Sequence, residues 1–134
     1  MNSRPVDQAA FTRLMLVTIE PRMTRPDQPG EVPVQLTNKD GTERKWTAQV
    51  VASMPSRWDA DRSESEVLSI TVTCADDPTS RVHEGDMVEF ANWTTGVMDP
   101  EMNASGRIRG GRLFDQATGI RTKVVAAHRA KADG

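Results

Sequence analysis

The side chains that could carry chemistry are few, and their spacing scatters them. His83 sits beside Glu84 and Asp86. An imidazole with two carboxylates is a metal-ligand set by type. These three are crowded on one short turn with no second histidine nearby, so no metal is expected. Paired carboxylates do acid–base work only when they converge on one substrate. Asp76 and Asp77 are adjacent and diverge in an extended chain. Glu64 and Glu66, or Asp59 and Asp61, share a face at i, i+2 spacing and would suit a magnesium nuclease. Solvated loop charge explains them more simply. Cys74 is the only cysteine, so it can form no internal disulfide, and its strand-like neighbours Val72 and Thr73 make it a buried free thiol. No glycine loop of the P-loop or dinucleotide type is present. The expectation is a chain without catalytic residues or cofactor.

Binding chemistry is better represented. Arg107 and Arg109 alternate with Ile108, Gly110 and Gly111 follow, and then come Arg112, Leu113 and Phe114. Arg121 and Lys123 repeat the alternation further on. If those two strands pair, four or five cations line one surface, and guanidinium forks suit phosphate oxygens. The chain has three tryptophans and no tyrosine. Trp58 lies in a polar loop after Arg57, where no core-filling pattern places it. It could stack on an unpaired base, cover the core as a lid, or contact a protein. Phe114 beside Arg112 could also stack. Trp46 and Trp93 lie within strands, where a core or half-buried role is favoured over stacking.

Net charge is −2, which by itself announces no polyanion partner. Its distribution is uneven. Residues 1–102 carry ten basic against seventeen acidic side chains, whereas residues 103–134 carry seven against two. Such asymmetry means either two faces of opposite sign or a charged tail with solvated loops.

Positioning falls to strands. Phe11 to Ile19 ends β-branched before Glu20-Pro21. Val32, Val34 and Leu36 alternate, with Pro33 placing that strand at an edge. Asn38 to Gly41 is a turn, and Lys45 to Ser53 is the returning strand. Val67 to Cys74 turns Leu68, Ile70, Val72 and Cys74 toward the core. Met87 to Trp93, Arg107 to Phe114 and Gly119 to Ala127 follow. No stretch keeps a helical period over three turns. Six or seven short strands with long loops predict an all-β fold, a small antiparallel barrel over residues 10–127, with flexible ends at 1–9 and 128–134. The apolar run Leu14 to Val17 is too short for a signal peptide or membrane span, so a soluble, cytoplasmic chain is expected.

The stretch from Trp46 to Lys123 resembles OB-fold proteins of the single-stranded-DNA-binding kind. The likeness rests on the hairpin ending in Trp46-Thr47-Ala48-Gln49-Val50, the strand Ser69 to Thr73, and the run Val82 to Phe90. Gly106 to Thr122 is similar to proteins of actinobacterial mobile elements. The likeness implies single-stranded DNA along the barrel face, with base stacking carried over to Trp46, Trp58 and Trp93. The chain lacks that family's N-terminal strand motif and its glycine-rich tail, so tetramer formation is not carried over. The expected function is therefore non-catalytic binding of single-stranded nucleic acid, DNA before RNA. The expected contacts are Trp46, Arg57, Trp58, Trp93, Arg107, Arg109, Arg112, Phe114, Arg121 and Lys123. The alternative is a self-associating protein-interaction or structural adaptor of a phage or mobile element.

Overall fold

The computed structural model describes residues 2–56, 58, 61–97, 101–102, 108–109 and 113–123. Among these, the strands in chain order are β1 (Asn2–Pro5), β2 (Arg13–Pro21), β3 (Arg44–Pro55), β4 (Ser63–Cys74), β5 (Val88–Ala91), β6 (Thr94–Val97), β7 (Glu101–Met102), β8 (Ile108–Arg109), β9 (Leu113–Ala117) and β10 (Gly119–Thr122). Single 3-10 turns occupy Gln8–Ala10 and Pro78–Ser80. Six strands form one sheet in the order β1-β6-β9-β4-β3-β2, while β5 pairs with β10 and β7 with β8.

Alternation dictates the central strands. Trp46, Ala48, Val50 and Ala52 of β3 are buried, as are Ile70, Val72 and Cys74 of β4. The register sets Trp46 against Val72 and Ala48 against Ile70, so the two apolar sets share one face. On β2, Leu14 and Leu16 oppose Ala52 and Val50, and a register shift follows between Leu16 and Thr18. Val88, Phe90 and Ile120 of the β5–β10 ribbon, with Val82 and Trp93, complete the core. Burying each of the larger apolar side chains contributes roughly 1.5–3 kcal/mol.

Two chain segments pass together from the large sheet to the ribbon. Asn92, at a φ of 52°, and Trp93 separate β5 from β6, and Thr118 separates β9 from β10. The Asn92 amide donates to the Thr118 hydroxyl at 2.8 Å, joining the two bends. Side chains then cap the ribbon's edges. The Gln8 carboxamide donates to the Phe90 carbonyl at 2.7 Å and accepts from the Phe90 N–H at 2.8 Å, as a neighbouring strand would. Arg81 Nε donates to the Ile120 carbonyl at 3.2 Å.

The antiparallel OB-like barrel expected from the sequence is corrected. The β4–β9 pair is parallel, running from Ile70 opposite Asp115 to Val72 opposite Ala117. None of the sheets closes on itself. The far edge of β2 meets the chain before β5 only through the Met15–Met87 bridge and two bonds of Leu16, to Asp86 and Gly85. A register irregularity between Leu16 and Thr18 interrupts β2 just past these contacts.

Two local expectations change as well. The turn at Asn38 forms, with the Asn38 N–H on the Glu43 carbonyl at 2.9 Å and Gly41 at a φ of 71°. Its outgoing arm is no strand. Residues 31–37 make only the Met23–Gln35 and Thr37–Arg44 bridges, and β3 takes β2 and β4 as neighbours. The basic strand expected over Arg107 to Phe114 divides between β8, which pairs with β7, and β9.

Candidate interaction site

Among the described residues, the most exposed large apolar side chain stands on the β3–β4 hairpin. Beyond the last core pairs, β3 and β4 continue outward as a two-stranded ribbon with Met54 opposite Glu64 and Pro55 opposite Ser63. At its root the Ser53 and Ser65 hydroxyls share a 2.7 Å hydrogen bond. Near its end the Ser56 N–H donates to the Arg62 carbonyl at 2.8 Å, and the Trp58 N–H donates to the Ser56 hydroxyl at 3.2 Å. Trp58 is 86% exposed. Met54 at 39% and Val67 at 62% are the other exposed apolar groups of this hairpin. Residues 54–66 carry four carboxylates against two arginines, so the ribbon is acidic.

The residues singled out from the sequence separate rather than converge. Trp46 and Trp93 are 3% exposed and belong to the core. Trp93 stacks on Phe11 and meets Phe90 edge-on, and its indole N–H donates to the Asp115 carboxylate at 2.9 Å. The Trp46 ring lies 5.4 Å from the Arg44 guanidinium carbon. Of the three tryptophans, Trp58 alone is presented to a ligand, and its exposure removes the lid alternative. Phe114 is half-buried on β9. Arg121 is exposed, but its Nε donates to Glu89 at 2.9 Å. Lys123 is exposed just after β10. Arg109 lies on β8, and β8 and β10 have different partners, so the cationic surface imagined from their pairing does not arise. Arg57, Arg107 and Arg112 lie outside the described residues.

Elsewhere, a cleft of about 390 Å³ is lined by Asp76, Arg81, Phe90, Ala91, Gly119, Ile120 and Arg121. Arg81 there is paired with Asp76 as well as with Ile120, and Arg121 with Glu89. Burial, reinforced by the nearby Asp76 charge, pushes the Cys74 thiol above its ordinary range. That opposes nucleophilic chemistry, which needs the thiolate. Asp77 accepts from the Thr79 hydroxyl and N–H, and these bonds hold its carboxyl below the usual value. No cluster of three or more His, Cys, Asp or Glu side chains among the described residues could hold a metal ion. No helix among them is long and apolar enough to cross a membrane.

Sequence reasoning missed the ribbon and the exposure of Val32 and Val34, which are 77% and 63% exposed. The available signal was the run Ser63-Glu64-Ser65-Glu66, whose strict alternation of two polar types fits a strand wet on both faces. The chain matches no protein-family model, no curated protein and no solved structure. The likeness to OB-fold single-stranded-DNA-binding proteins and to actinobacterial mobile-element proteins is therefore corrected. No relative supports it, and the sheets are open.

Proposed function

We propose that the chain is a non-catalytic protein-interaction module that self-associates, using the β3–β4 ribbon as its contact and Trp58 as the anchor. The observation that carries this reading is the exposure of Trp58 at the end of the β3–β4 hairpin. Tryptophan is among the residues that dominate contact energies. The acidic ribbon favours a protein over nucleic acid. Glu64 and Glu66 on β4 would face a phosphate backbone with like charge.

Intrinsic fluorescence tests the reading, because Trp58 is the tryptophan exposed to solvent. Emission should shift to the blue as protein concentration rises, and a Trp58→Phe variant should lack the shift. A single-stranded oligonucleotide at low salt should leave the emission unchanged. Quenching by the oligonucleotide, with emission independent of protein concentration, would replace the protein partner with nucleic acid.

A further inference from the structure

We infer that the chain binds a phosphate monoester in the pocket where Arg13, Ser53, Ser63 and Ser65 meet, at the base of the β3–β4 ribbon. The pocket has a volume of about 360 Å³, and Thr12 completes its described lining. That volume lies within the range of small-ligand sites, roughly 300–1,000 Å³. Trp58 is not among the lining residues, so the inference stands apart from the reading of the ribbon as a self-association contact.

Strand register builds the pocket. Arg13 of β2, Ser53 of β3 and Ser65 of β4 stand in one row across three strands. Neighbouring strands lie about 4.8 Å apart, so the outer two backbones are about 10 Å apart and leave room for a phosphate group between their side chains. Ser63, two residues before Ser65, shares its side of β4. The same alternation turns Glu64 and Glu66 to the opposite side, and no carboxylate is among the described residues lining the pocket. A compact phosphate meets the serine side alone, whereas a long polyanion would also run past the glutamates.

The polar groups here have donors to spare. Ser53 is 6% exposed, the only polar side chain buried among the described residues. Its hydroxyl shares a 2.7 Å hydrogen bond with that of Ser65. Two hydroxyls carry two hydrogens and this bond uses one, so the pair still has one to donate. The Thr12 hydroxyl spends its hydrogen on the Ser53 carbonyl at 3.2 Å. Among the described residues, neither the Ser63 hydroxyl nor the Arg13 guanidinium has a partner. Arg81 and Arg121 of the larger cleft, by contrast, are both committed to carboxylates. Arg13 thus brings an uncompensated positive charge and a fork of N–H donors, which suits phosphate oxygens. Donors arriving from three strands match an ion with three terminal oxygens better than a planar carboxylate with two.

Isothermal titration calorimetry on the full chain tests this with inorganic phosphate, O-phosphoserine and acetate as probes. Inorganic phosphate and O-phosphoserine should each bind saturably, and acetate more weakly than either. Arg13→Gln should weaken phosphate binding by about tenfold or more, because hydrogen bonds to a charged partner are lost. Ser63→Ala should weaken it less. Arg25→Gln, which removes an exposed arginine on another segment, should leave it unchanged. Arg13 and Ser63 are exposed, so the fold should persist, and a far-ultraviolet circular dichroism spectrum checks this. Equal losses with Arg13→Gln and Arg25→Gln would reduce the binding to general surface charge and overturn the site. Acetate binding as tightly as phosphate would overturn the phosphate assignment, and inorganic phosphate binding without O-phosphoserine would overturn the monoester. No saturable heat from either phosphate probe would overturn the inference outright.

Discussion

Asp115 bears on the core through one bond. Its carboxylate accepts the indole N–H of Trp93, whose ring is packed between Phe11 and Phe90. Replacing Asp115 by Ala leaves that buried donor without a partner, and we expect a loss of about 1–3 kcal/mol in urea unfolding. Asp115→Asn keeps an acceptor oxygen and should lose less. Two groups shift on folding in ways that tie stability to pH. Asp77 has a folded value below its ordinary 3.8, so the unfolded chain takes up its proton first as the solution is acidified. Stability from this group is present above 3.8 and falls as pH drops through the lower folded value. Cys74 is raised above its ordinary 9.0, so the unfolded chain loses that proton first on the alkaline side. The urea midpoint should fall as pH rises through 9.0 toward the higher folded value, and Cys74→Ala should flatten that fall.

The ribbon is the element whose loss should separate function from folding. The buried pairs of β3 and β4 end near Ala52 and Leu68, and the ribbon beyond adds exposed surface rather than core. Cutting residues 56–62 to a two-residue Asn-Gly turn should leave the melting temperature within a few degrees and abolish association. Calorimetry paired with sedimentation reads both. A large drop in melting temperature would instead make the ribbon part of the cooperative fold. The strands that build the core were legible in the sequence because one side is dry. The face of Leu68, Ile70, Val72 and Cys74 was plain from period-two alternation, and so were Trp46, Ala48 and Val50. The outward continuation of β4 was not, because both faces of Ser63 to Glu66 are wet and no apolar alternation marks it. The parallel β4–β9 pair was illegible for a different reason. No turn joins its strands, so no local signal records the pairing.

At the scale of the whole molecule, net charge proved a poor guide and its placement a better one. The positive stretch after residue 103 pointed to a cationic wall, yet β8 and β10 go to different partners and Arg121 is neutralised by Glu89. Trp58 was legible as an oddity, a tryptophan in polar company, but its exposure depends on a hairpin the sequence did not announce. What remains is a molecule whose exposed large apolar groups lie apart, Trp58 on the acidic β3–β4 ribbon and Val32 and Val34 on the segment before β3. The most direct measurement is sedimentation velocity over a series of protein concentrations, wild type beside Trp58→Ser. The sedimentation coefficient of the wild type should climb with concentration while that of Trp58→Ser stays at the monomer value. Identical, concentration-independent coefficients for the two proteins would contradict the account.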